Sequence, residues 1–140
     1  PHSVGIIWIK IKMTKNFSIS EFECKGGNCK MSADVKNNIL ELAEQLQILR
    51  DKVKKPIKIN SGYRCQDYND NVIKGAKHSQ HKLGKAADIV INGMMPNEVY
   101  KLVCEMVESG ELKFGGIGKY NSFTHVDIRD YSARWDFTKK

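Results

Sequence analysis

Apolar positions recur along the chain with two different periods, and the change of period marks the elements. Val35, Ile39, Leu42, Leu46, Leu49 and Val53 are spaced by four and three residues. That spacing draws one apolar stripe with a polar back, so a long helix is predicted. Ser32 is placed to cap its start, Asp34 suits its first turn, and Pro56 ends it. Upstream, Ser18 and Glu21 form a capping box, which predicts a short helical turn running to the Gly26-Gly27 loop. Ile57 to Ser61 alternates like a half-buried strand, and Gly62 turns the chain. Residues 66–73 are polar and predict a short helix or loop, followed by a loop over 75–84. Ala86 to Ile91 is nearly continuous in apolar residues and predicts a buried strand broken by Gly93.

A second helix is predicted from Pro96 to Gly110, with Val99, Leu102, Val103, Met106 and Val107 on its inner face. Phe114 to Gly118 leads into Tyr120, and Phe123 to Ile128 alternates as a final strand. Strand side chains alternate, so Phe123, His125 and Asp127 share one face. Helix first, then strands interrupted by one helix, predicts an α+β fold with a small, mainly antiparallel sheet. No repeat, linker or low-complexity segment divides the chain.

Length fits one domain: 140 residues support a single core. Met13-Thr14-Lys15 reads as a natural start. Residues 1–12 then form an N-terminal extension, from upstream translation, a tag or an extra edge strand, and 13–140 form the domain. No apolar run reaches the roughly 18 residues that cross a bilayer. Val4 to Ile9 is apolar but short and has no small-residue cleavage site after it, so it makes a poor signal peptide. A net charge of +7 favours an anionic partner such as nucleic acid, a membrane surface or an acidic wall polymer. Lys52, Lys54, Lys55 and Lys58 cluster locally, but with no interleaved aromatics they read as a solvated helix end rather than a nucleic-acid platform.

The four cysteines, Cys24, Cys29, Cys65 and Cys104, allow three pairings if all are bridged. Cys24 and Cys29 flank a flexible loop able to close a small bridge. Buried or free thiols are expected ahead of two disulfides. A structural zinc site ranks last, because a second close cysteine pair is lacking.

The candidate chemistry lies elsewhere. His81 and Asp88 are seven residues apart and straddle Gly84, whose backbone freedom allows both to face one point. His125 comes from a second strand able to lie beside the first. Two imidazoles and a carboxylate make the ligand set of a catalytic zinc site with one corner open for water. Asp88 sits among Ala87, Ile89 and Val90, and a buried aspartate needs a partner or a metal. His78 competes for a ligand place but reads as loop surface or rim.

Ordered motifs then point to a family. They are Ser61-Gly62-Tyr63-Arg64, Ser79-x-His81-x-x-Gly84-x-Ala86-x-Asp88, and Gly115-Gly116-Ile117-Gly118 with Phe123-x-His125-x-Asp127. With the Phe17-Ser18-x-x-Glu21-Phe22-x-Cys24 opening and the Arg134-Trp135 close, the pattern resembles the zinc D-Ala-D-Ala carboxypeptidase and endolysin family. The resemblance spans about Phe17 to Trp135 and implies the hedgehog/DD-peptidase fold. It implies that His81, Asp88 and His125 hold one zinc ion and that Arg64 sits at the substrate end, where a guanidinium holds a peptide carboxylate. Ser79 is expected beside the ligands or as a loop cap, and Tyr120 and Trp135 as cleft or core residues.

Many better-known members place a carboxylate three residues before the last histidine, where this chain has Ser122. Asp127 is therefore assigned as general base or proton shuttle. Alternatives are that it orients a histidine, pairs with Arg129 or Arg64, or is itself a ligand while His125 shuttles the proton. The implied activity is zinc-dependent hydrolysis of peptidoglycan stem peptides by a monomer acting on the bacterial wall. A non-catalytic zinc module of the same fold, binding wall or protein, is the alternative.

Overall fold

The structure, a computed structural model, describes residues 13–26, 29–76 and 78–138. The expectation for residues 1–12 lies outside the described residues. The elements in order are a short 3-10 turn Ile19–Phe22, helix α1 Ala33–Val53, strand β1 Ile57–Ser61, a wide turn Tyr68–Val72, a second 3-10 turn Gln80–Leu83, strand β2 Ala86–Ile91, helix α2 Pro96–Glu108, and strands β3 Gly116–Lys119, β4 Thr124–Asp127 and β5 Ala133–Asp136. The predicted α+β class with a small, mainly antiparallel sheet is what the chain adopts.

Local chemistry sets the helix ends. Ser32 Oγ accepts from the Val35 N–H at 3.2 Å, closing the start of α1. Lys54 then turns left-handed with its N–H on the Arg50 carbonyl, one residue before the Lys55-Pro56 stop. Pro96 opens α2, and the Glu98 carboxylate reaches back to the Met95 N–H at 2.7 Å. The inner face of α1 is as expected: Ile39, Leu42, Leu46 and Leu49 are fully buried. In α2 the face is narrower than its spacing predicts. Val99, Val103 and Met106 are buried, whereas Leu102 and Val107 sit half-buried at its margins.

The strand order is β1-β2-β4-β3-β5. Every neighbouring pair is antiparallel except β3 and β5, which run parallel. Strand β5 has no counterpart among the predicted elements. Its short alternation of half-buried and exposed residues is a weak signal, and pairing along β3 is what makes it a strand.

Alternation splits the sheet into two chemistries. Ile57, Ile59, Ala87, Ile89, Ile91, Ile117 and Val126 face the core, under α1 and α2. The opposite face carries Asp88, His125, Asp127, Gly116, Gly118 and Trp135, aligned across the strands by register: Asp88 pairs with His125, Gly118 with both His125 and Trp135, and Gly116 with Asp127. One face holds the domain together and the other holds the site.

Candidate metal centre

Asp88 and His125 are direct cross-strand partners, so their side chains rise together from the sheet. His81 joins them from the second 3-10 turn. Ser79 Oγ accepts from the His81 N–H at 3.1 Å, and Gly84 ends the turn at φ +75°. A Cβ on Gly84 would also come within 2.9 Å of Val35, so the turn closes against α1 only without a side chain there. Ser79 thus acts as a turn cap. His78 is exposed and lies outside this group.

Ligand atoms of His81, Asp88 and His125 all lie within 4.8 Å of one another, and all three residues are buried. Asp88 Oδ1 stands 3.2 Å from His81 Nε2 and 3.2 Å from His125 Nδ1. The far nitrogens of both rings have committed partners. His81 Nδ1 donates to the Gly62 carbonyl at 2.7 Å, and His125 Nε2 donates to Asp127 Oδ2 at 2.6 Å. A carbonyl or carboxylate oxygen only accepts, so each ring keeps its proton on the far side. Two imidazole lone pairs and a carboxylate oxygen then converge on one point. Three acceptors gathered without a donor suit a cation, and the carboxylate–histidine arrangement behind His125 is the usual support of a metal ligand. The residues present fit a zinc ion of one open coordination position.

Electrostatics agree. Burial works against the Asp88 carboxylate, but the His125 and His81 rings beside it outweigh that and hold its pKa far below the usual range. Burial lowers the His81 pKa, with Arg64 and His125 adding to the effect, so the ring stays neutral and free to ligate. Burial also disfavours His125 charge, yet Asp127 and Asp88 on either side raise its pKa above the ordinary value. Two carboxylates around one imidazole make a sink for positive charge.

Asp127 lies behind His125. It is fully buried, on the side of the His125 ring away from Asp88. Its Oδ2 takes His125 Nε2 and Arg129 Nη2 at 2.7 Å. Its Oδ1 takes Arg129 Nε at 2.8 Å, the Arg129 N–H and the Gly116 N–H at 3.0 Å. These bonds hold its pKa far below the carboxylate norm despite its burial. Of the roles expected for Asp127, this geometry matches the one in which it orients a histidine and pairs with Arg129. Both oxygens are spent, and the imidazole separates them from the ligand cluster.

Arg64 closes the other side. Nη2 donates to Asp88 Oδ2 at 3.2 Å, Nε to Ser61 Oγ at 3.1 Å, and Nη1 to Asn69 Oδ1 at 3.4 Å. Asn69 is fully buried and fixed by its own bond to the Ala76 carbonyl at 2.9 Å. Trp135 lies with its ring 5.0 Å from that of His125, and its Nε1 donates to the Tyr120 hydroxyl at 3.0 Å.

From the sequence, Arg129 was only one possible partner of Asp127, and Gly116 and Gly118 were motif residues with no role in the site assigned. A Cβ on Gly116 would fall 2.6 Å from Asp127 Cγ, and one on Gly118 would fall 2.8 Å from Trp135 Cζ2. The Gly116 and Gly118 gaps in β3 therefore house the Asp127 carboxylate and the Trp135 indole. Glycines two apart on a strand, beside a His-x-Asp strand, are the signal that could have revealed this.

Such a sheet-borne His/Asp/His cluster with oriented imidazoles defines a metal-dependent hydrolase type of centre. The chain matches the family described as Peptidase M15 over residues 15–127, and it belongs to that family. Peptidases of this family are zinc-dependent, which accords with the resemblance of the ordered motifs. No curated protein matches the chain. Among the described residues, no helix is long and apolar enough to cross a membrane.

Proposed function

We propose that this peptidase hydrolyses peptidoglycan stem peptides at a D-Ala-containing bond, as a carboxypeptidase or a wall endopeptidase, with zinc held by His81, Asp88 and His125. The observation that carries this is the convergence of three buried acceptors whose protons point away from their common centre. Bound there, zinc would supply Lewis acidity toward the scissile carbonyl and bring the pKa of a water down to about 7.

The protein residues divide the remaining work. Asp127 and Arg129 hold His125 in one tautomer, and Gly62 does the same for His81. Arg64 is fixed by Ser61, Asn69 and Asp88, yet both terminal nitrogens keep an unspent N–H. These face a substrate carboxylate, the chemistry of a stem-peptide terminus. The Tyr120 oxygen accepts from Trp135, which leaves its own proton to donate toward the substrate carbonyl. Burial raises the Tyr120 pKa, so that proton stays in place near neutral pH. The net charge of +7 favours approach to a polyanionic wall.

One observation favours a second reading, a zinc-holding module that binds wall or protein without cutting it: the nearest sequence candidate for the base is committed to His125. Incubating the zinc-loaded protein with defined muropeptides, and identifying the products by mass, separates the two. Loss of a terminal D-Ala, or scission of a cross-link, is expected, abolished by chelator and restored by zinc. Retention on wall material without any product would overturn the hydrolase reading.

A further inference from the structure

Cys24, Cys29 and Cys65 meet on the opposite side of β1 in sequence terms, yet their sulfurs converge. The N–H of Tyr63 donates to the Phe22 carbonyl at 2.8 Å, tying the first 3-10 turn to the segment after β1. Gly62 allows this approach, since a Cβ there would stand 2.8 Å from Phe22 Cα. Two residues beyond each partner lie Cys24 and Cys65. Cys29 returns from the glycine loop and forms a disulfide with Cys65. The small Cys24–Cys29 bridge that their spacing allowed is thus not formed; tertiary contact offered Cys29 a partner that sequence distance had hidden. Cys24 is a buried thiol, as expected for part of the set, and Cys104 is also free.

Cys24 Sγ stands 3.9 Å from Cys65 Sγ, and all three sulfurs lie within 4.8 Å of one another. Thiolates on a tetrahedral zinc, with bonds of about 2.3 Å, are separated by about 3.8 Å. The Cys24–Cys65 separation is already that edge. Four residues separate Cys24 from Cys29, within the spacing of zinc-binding cysteine pairs. The Gly26 N–H donates to Cys24 Sγ at 3.4 Å, an amide aimed at the sulfur. Gly26 itself packs under the Tyr68 ring, where a Cβ would come within 3.0 Å.

We propose that Cys24, Cys29 and Cys65 form a second, all-sulfur site for a thiophilic divalent ion of the zinc class when the Cys29–Cys65 bond is reduced. Two equivalents of a small thiol supply the reduction: two electrons and two protons convert the disulfide to two thiols, and the reductant leaves as its own disulfide. Binding of the ion then releases three protons, one from each cysteine. Cys29 and Cys65 are partly exposed, so the fourth tetrahedral corner opens to solvent. The disulfide joins two segments, whereas the metal form would join all three cysteines. Either state anchors the residue next to Arg64 and so bears on the substrate side of the site.

Cobalt titration of phosphine-reduced protein, after removal of the reductant, tests this. Intense near-ultraviolet thiolate-to-cobalt bands are expected, bleached by zinc and saturating at one cobalt per chain in His81→Ala, where the histidine centre does not compete. The histidine centre has only nitrogen and oxygen donors, so these bands report the cysteines whether or not the peptidase reading holds. Cys24→Ser and Cys65→Ser should remove them, whereas Cys104→Ser and His81→Ala should leave them. Alkylation of reduced wild-type protein with zinc present should label Cys104 alone, which needs no variant to fold. Absence of thiolate bands, their survival in Cys24→Ser, or equal labelling of all four cysteines would overturn the site. So would recovery of a Cys24–Cys65 disulfide with no bound metal, the signature of simple thiol exchange.

Discussion

Replacing Asp127 by Asn keeps the shape of the side chain and separates a positioning role from a proton-transfer role. In the native site Oδ2 accepts from His125 Nε2 and Arg129 Nη2, while Oδ1 accepts from three N–H groups of Gly116 and Arg129. An amide has one acceptor oxygen and one NH2. Placed at Oδ1, the NH2 faces three donors. Placed at Oδ2, it faces the His125 N–H and the Arg129 guanidinium. The second arrangement is relieved if His125 moves its proton to Nδ1, but that aims a proton at the metal position. Removing such a supporting carboxylate typically costs 10- to 100-fold in metal affinity, or about 1.4–2.7 kcal/mol at about 1.4 kcal/mol per decade. Arg129 also loses its charge partner in a buried setting, at the lower end of the about 3–5 kcal/mol that breaking buried pairs costs. Zinc affinity is measured by competition with a chromogenic chelator, and folding by urea titration. Zinc binding as tight as wild type, with turnover lost, would refute the positioning role and restore Asp127 as the proton-transfer group.

Gly118→Ala drives a methyl into the indole plane, 2.8 Å from Trp135 Cζ2. It should cost about 1–3 kcal/mol of stability and shift Trp135 fluorescence, and an unchanged spectrum would contradict the packing. Arg64→Lys replaces three directed bonds by one point charge. Loss of charge-assisted bonds worth about 1.5–3 kcal/mol predicts a roughly 10- to 100-fold drop in kcat/KM on carboxylate-ended substrates. A smaller drop on amide-capped analogues would support the carboxylate contact, and an equal drop on both would not. His81→Ala should remove stoichiometric zinc and all hydrolysis, and metal analysis with the muropeptide assay checks both. Leu46→Ala, in the fully buried face of α1, should lower unfolding free energy by about 2–5 kcal/mol without changing zinc stoichiometry.

Helices α1 and α2 were legible because their stripes repeat over several turns and their ends carry local signals in Ser32, Pro56 and Pro96. Strand β2 was legible as an apolar run, and His81, Asp88 and His125 as metal-ligand residue types at workable spacing. Strand β5 was not, because four residues with mixed exposure acquire strand character only from the neighbour they pair with. On the inner face of α2, Leu102 and Val107 are only partly covered, since periodicity marks a stripe but not how much of it the sheet will cover.

Residue order alone determined that His125 and Asp127 share a strand face, because the side-chain period of a strand is two. It could not decide which way the carboxylate turns. That choice belongs to the neighbouring strand, where Gly116 leaves a gap and an amide for Asp127, and to Arg129, which locks it there. The same holds for Cys65, which meets Cys24 and Cys29 only because Gly62 lets two backbones touch. Short-range periodicity and capping write the elements and the residue types of the site into the chain. Hydrogen-bond direction, and so the chemistry each group performs, comes from contacts between segments that have no fixed separation in sequence.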